Sequence, residues 1–168
     1  LGLSAAHKLS TGNRNIIMGY AAGYGFGGCN TGSHNIFMGE YVGTLNSVTG
    51  NCNIGIGKCV FQNLRCASEN VALGIRVMGD TGTCGCKNVV LGSCAGTKIS
   101  TGYGNVFIGA ETNFMSGGEG NFTGHRNVTI GFGASVTDKT GSNQLAIGVG
   151  NTNWLRGDRQ SNQLALVM

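Results

Sequence analysis

"NIIMG" at residues 15–19 returns as "NIFMG" (35–39), "NIGIG" (53–57), "NVALG" (70–74), "NVVLG" (88–92), "NVFIG" (105–109) and "NVTIG" (127–131). With the Asn as position 0, the copies open at Asn15, Asn35, Asn53, Asn70, Asn88, Asn105 and Asn127; Gln144 in "NQLAIG" and Gln163 in "NQLALV" open two more. The nine copies lie 17–22 residues apart. Position +1 is always Ile, Val or Leu and position +3 always Met, Ile or Leu. Alternate residues of a strand share a face, so one face is aliphatic in every copy. Position +4 is Gly in eight copies, the residue for a corner that needs positive φ or close backbone approach. Upstream, Thr-Gly recurs at −4 and −3 ("TGNRN", "TGSHN", "TGNCN", "TGYGN"), which is turn chemistry leading into the strand. Downstream, position +7 is Ala, Val or Thr from Ala22 to Ala134.

Each unit reads as strand, Gly corner, short second strand and loop. One such unit cannot bury its own apolar face, so copies must stack. The expected fold is all-β: a repetitive β-solenoid, or a trimeric β-roll or β-helix, of about nine coils. At ~4.8 Å per coil the rod is roughly 40 Å long. Residues 1–150 form the repeat rod and 151–168 its C-terminal part with a variant last repeat. The position-0 amides, Asn15 to Asn127 with Gln144 and Gln163, are expected to form a structural ladder, each amide donating to the next. Position +2 should face away from +1 and +3, yet it reads Ile17, Phe37, Gly55, Ala72, Val90, Phe107, Thr129, Ala146 and Ala165, with no charge. A solvated strand face carries polar residues. The +2 stripe is therefore expected to lie against another chain. "LGLSAA" fits the +3 to +8 stretch of an earlier copy, which suggests a segment of a longer fibre, or one that extends by end-to-end stacking.

Composition narrows the function classes. The chain has 32 Gly and no Pro among 168 residues, which argues against collagen and Pro-rich linkers, and 40% hydrophobic residues argue against disorder. The formal charge is +4, but the basic residues are scattered, with no stripe for nucleic acid. No apolar run approaches the ~18 residues of a membrane span, so membrane insertion is not expected.

Phrases such as "TGSHNIFMGEYVG" and "NVVLGSCAGTKISTGYGNVFIG" resemble the TG-x-x-N-x-x-(I/L)-G-x-x-A-G repeats of phage tail fibres. They are also similar, more loosely, to the head repeats of bacterial trimeric autotransporter adhesins. The closing "NQLAIGVGNTNWLRGD" looks like a segment that follows such repeats in phage fibres. The resemblance covers nearly the whole chain. It implies homotrimeric β-rolls or β-helices in long fibres, with binding specificity in tips or loops. Seven Cys are unusual for such repeats.

Those Cys residues are 29, 52, 59, 66, 84, 86 and 94, without a CxxC pair. Cys66 and Cys84 both occupy −4 in adjacent coils, within reach of a disulfide if the coils stack; buried or free thiols, or an interchain link, are the alternatives. No metal or other cofactor is expected. The acids, Glu40 to Asp158, show neither paired-carboxylate spacing nor a calcium loop, and no catalytic constellation is visible, so an enzyme is not expected. The longest unit inserts "NFMSGGEGN" (113–121), a candidate binding loop with Asn113, Phe114 and Glu119; Trp154 and Arg156 in "NWLRGDR" are further candidate receptor contacts. The expected function is a rigid shaft or receptor-binding segment of a phage tail fibre or similar surface adhesin, in a virion or at a cell surface. Its expected partners are copies of itself and a host surface glycan or protein. The alternatives are a self-assembling extracellular filament stabilised by Cys and, third, an ice-binding solenoid.

Overall fold

The computed structural model describes residues 2–25, 30–44, 48–79, 84–113, 122–150, 152–158 and 163–166. Its strands are β1 (Ile16–Met18), β2 (Ile36–Glu40), β3 (Ile54–Lys58), β4 (Val71–Ile75), β5 (Val89–Leu91), β6 (Val106–Ile108), β7 (Val128–Ile130), β8 (Gln144–Val149), β9 (Thr152–Asp158) and β10 (Gln163–Leu166). They form one sheet in sequence order. β1 to β8 are parallel, each pairing with the next column for column: Ile36 on Ile54, Ile54 on Val71, Val71 on Val89. Parallel neighbours 17–22 residues apart require the chain to go once around between them, so the molecule is an all-β solenoid. Among the described residues no helix is long and apolar enough to cross a membrane.

The coil count is lower than the nine expected. Eight parallel rungs stack, after which β9 runs antiparallel to β8 and β10 antiparallel to β9. Gln163 opposes Asp158, which opposes Gln144, so the ninth copy keeps the sheet register but is separated from the eighth by a strand of the other direction. It is the end of a meander, not a coil.

The short second strand is also corrected. Positions +5 to +8 form tight turns whose corners take left-handed backbone: Tyr41, Cys59, Arg76 and Cys94 at +6 have φ of 54–56°, and Phe61 and Met78 at +8 have 55° and 48°. Hydrogen bonds still link these turns from coil to coil, the +8 N–H donating to the +7 carbonyl of the next coil (Gly43 to Val60, Phe61 to Val77, Met78 to Ala95, Gly96 to Thr112). At the strand end, a β-carbon on Gly39 or Gly57 would run into the carbonyl of the equivalent Gly above, Gly57 or Gly74. That close stacking is why +4 is Gly.

The interior decides which strand face is inside. Phe37, Ala72, Val90, Phe107, Thr129 and Ala146, all at +2, are buried, together with the +7 column of Val42, Val60, Val77 and Ala95. The +2 stripe therefore lines the core and is not the outer surface expected from the sequence. Its mixed sizes are matched six residues on. Phe37 faces Gly43, where a β-carbon would sit 2.9 Å from the ring; in the next coil Gly55 at +2 faces Phe61 at +8, where the same addition would sit 2.7 Å from the ring. Ala72 goes with Met78. In these three coils a large residue at one position goes with a small one at the other, which fills the interior to a similar extent.

Candidate functional site

Three features run along the rod: two ladders and one apolar strip. The first ladder is position 0. The Oδ1 of each Asn accepts the backbone N–H of the position-0 residue in the next coil at 2.8–3.1 Å, from Asn15 through Asn127 to the N–H of Gln144. Each Asn Nδ2 also donates to the −3 carbonyl of the next coil, Asn53 to Ala67 and Asn70 to Gly85, for example, at 2.8 and 2.9 Å. Asn53, Asn70, Asn88, Asn105 and Asn127 are wholly buried, so these bonds satisfy groups that have no access to water. Gln163 stands outside this stack, on β10.

A second ladder, at −2, went unnoticed in the sequence. The N–H of Asn13 donates to Ser33 Oγ, that of Ser33 to Asn51 Oδ1, that of Asn51 to Ser68 Oγ, and that of Ser68 to Cys86 Sγ. The series resumes with Tyr103 to His125 Nδ1 and His125 to Ser142 Oγ. The residue types differ at every rung. What they share is an acceptor atom two or three bonds from the backbone, at Tyr103 alone replaced by an aromatic ring.

The strip is the outward face of β1 to β8. Its two columns, +1 and +3, hold sixteen side chains, all Ile, Val, Leu or Met. Five are exposed, Ile16 50%, Met18 40%, Ile56 38%, Leu73 37% and Ile108 37%, and the other eleven are partly buried. A solvated sheet face ordinarily carries polar side chains, and this one has none at +1 or +3 on any of its eight rungs.

Cys66 and Cys84 are joined by a disulfide across adjacent coils, with Cα atoms 4.9 Å apart. Cys52, Cys59, Cys86 and Cys94 are free thiols, and Cys29 lies outside the described residues. Among the described residues no group of three or more His, Cys, Asp or Glu could hold a metal ion. At +5 in adjacent coils, Lys58 Nζ lies 3.0 Å from Glu40, whose hydrogen bond and charge raise the Lys58 pKa; both groups are well solvated, so the pair contributes little.

Of the expected receptor contacts, Asn113, Trp154 and Arg156 lie among the described residues. Asn113 is a correction: it is buried, donating from Nδ2 to Thr129 Oγ1 at 2.9 Å while Oδ1 accepts from Val136 N–H and Ser135 Oγ. A buried Asn bonded on both sides offers nothing to a receptor. Phe114 and Glu119 lie outside the described residues. Trp154 sits at the register shift where Ile147 pairs with Leu155 and Gly148 with Asn153, and is 55% exposed; Arg156, two residues along the same strand, is also exposed. A second group of exposed rings and cations, missed in the sequence, lies on the corner entering β6 and β7: Tyr103 stacks on His125 with ring centroids 4.2 Å apart, and Arg126 lies over the Tyr103 ring. No family model matches the chain, and no curated protein or solved structure matches it either.

Proposed function

We propose that the chain is a rigid shaft segment of a fibre, a phage tail fibre or a similar surface adhesin, that works as a homotrimer. One observation carries this reading: the unbroken aliphatic strip on the outer face of β1 to β8. A strip eight rungs long and two columns wide covers on the order of 400 Å² at ~4.8 Å per rung. A monomer in water gains by covering such a surface, and a copy laid alongside the rod covers it at every level. Three sheets facing one axis make a closed prism, the arrangement implied by the resemblance of these repeats to fibre repeats. The proposed interface is thus the +1/+3 face, in place of the +2 stripe. Stiffness, the property a shaft needs, is supported by two ladders in which side-chain acceptors bind backbone N–H groups of the adjacent coil. No catalytic role is proposed.

Light scattering in solution, with and without reductant, tests the reading. The expected mass is three chains in both conditions, falling to one chain in Leu73→Glu, which puts a charge in the middle of the strip. A monomeric wild type would overturn it and favour the single-solenoid alternatives, ice binding first. Growing filaments that shorten on reduction would replace it with the self-assembling filament.

A further inference from the structure

The corner entering β5, β6 and β7 carries a cluster that stiffness does not require. Lys87 and Arg126 both occupy position −1 in left-handed backbone, φ 60° and 54°, and both are exposed. Between them the same position is Gly104, φ 67°, where a β-carbon would meet only Arg126. The Arg126 stem crosses the gap that Gly104 leaves, its Cγ 3.5 Å from where that β-carbon would be, and the Lys87 and Arg126 backbones stand two rungs, about 10 Å, apart along the axis at ~4.8 Å per rung. Beside the gap stands Tyr103, 37% exposed. Its ring is braced from the coil above: His125 stacks on it at 4.2 Å, the Arg126 guanidinium lies 5.4 Å from its centroid, and Arg126 Nη2 donates to its hydroxyl at 3.1 Å. On the side of the coil below, the ring borders a cleft of about 280 Å³ whose other walls are Cys84, Cys86, Lys87 and Thr101. That is near the lower end of the ~300–1,000 Å³ of small-molecule sites.

An aromatic ring held in place from one side, open on the other and flanked by cations suits a flat, mostly saturated ring that bears a negative charge. The C–H face of a pyranose packs on the negative π face of Tyr. Lys87, on the cleft wall, gives a charge-assisted bond to a carboxylate, and the Arg126 guanidinium, at the rim beside the Tyr103 hydroxyl, keeps some of its five donors free after bonding Tyr103. Glu69, at −1 one coil below Lys87, would repel an anion, so a chain of such sugars has to run from Lys87 towards Arg126.

We infer that this notch is a subsite for one hexuronic acid residue of an acidic polysaccharide. The inference rests on the reading of the rod as a surface-binding fibre, and supplies that fibre with a ligand class on its shaft. Calorimetric titration with trigalacturonate as probe tests it, with maltotriose as the neutral control, on samples whose oligomeric state is measured alongside. Wild type should bind trigalacturonate and not maltotriose. Lys87→Ala with Arg126→Ala should weaken binding at least tenfold, Tyr103→Ala likewise, while Tyr103→Phe stays within about threefold because the stacking face remains. Glu69→Gln should tighten binding severalfold. All of these side chains are exposed, so thermal unfolding should be little changed. Equal binding of both sugars, no binding of trigalacturonate, or binding unaffected by the Lys87 and Arg126 changes would overturn the subsite. If trigalacturonate fails on a proven trimer, the subsite falls and the shaft stands; if binding holds on a monomer, the trimeric shaft falls and the subsite stands.

Discussion

Asn70 illustrates how much depends on one side chain. Its Oδ1 accepts both the N–H and the Nδ2 of Asn88, and its Nδ2 donates to Asn53 Oδ1 and the Gly85 carbonyl, all out of contact with water. Asn70→Ala leaves several of those groups unsatisfied, at roughly 1–3 kcal/mol each, so a loss of about 3 kcal/mol or more is expected in chemical denaturation. Asn70→Asp keeps the acceptors, loses the donors and buries a charge. Desolvation raises the introduced carboxyl above its unfolded value near ~3.9, so its penalty grows as pH rises through that value. The melting deficit of this variant should be smaller at pH 3 than at pH 7; an equal deficit at both would mean the site admits water. Asp138 moves in the opposite sense. A hydrogen bond from the Thr140 hydroxyl, then one from its N–H, lowers the Asp138 pKa. The depressed folded value means that its contribution is present above the unfolded pKa and disappears as pH falls through the folded one. Thr140→Val should move the Asp138 titration, followed by NMR, back towards the ordinary carboxylate range.

At the scale of the coil, the exchange of large and small residues between +2 and +8 makes a sharp prediction. Phe61→Gly removes a fully buried ring, a loss of about 3–5 kcal/mol, softened because Phe61 sits at φ 55° where Gly is at ease. Gly55→Phe alone puts a β-carbon 2.7 Å from the Phe61 ring and 2.9 Å from Val42, and should cost about 1–3 kcal/mol or prevent folding. The double variant reproduces the Phe37–Gly43 arrangement of the coil before it and should be about as stable as wild type. Simple additivity of the two losses would show that the two positions do not share space. This coupling also explains what the sequence concealed. The Asn column, the +4 Gly and the adjacent-coil placement of Cys66 and Cys84 were legible because a stacked ladder needs the same atom at each level. The inside of the strand was not, since both faces are apolar and the core column looks irregular until each +2 residue is paired with the residue six places on. The −2 ladder escaped for a related reason: Ser, Asn, Cys and His share an acceptor and no other property. The Lys87–Tyr103–Arg126 notch had no sequence signal at all, because those residues lie within one or two rungs of each other in space but up to 39 residues apart in the chain.

For the molecule as a whole, the hydrogen bonds point along the axis from rung to rung, so a rod pulled by its ends bears the load on one rung at a time. Each coil that peels off releases 17–22 residues, on the order of 60 Å of chain at ~3.3–3.6 Å per residue, and the rod should come apart in a row of near-equal steps. The Cys66–Cys84 bond sits across one of those steps, 18 residues apart. It ties a coil to its neighbour with a covalent link that force at this scale does not break. An oxidised rod stretched in a single-molecule experiment should therefore show one step fewer than a reduced one, with about one coil of length missing from the total. The bridge is a stop knot in a rope: the strands beyond it can part, and the rod still holds.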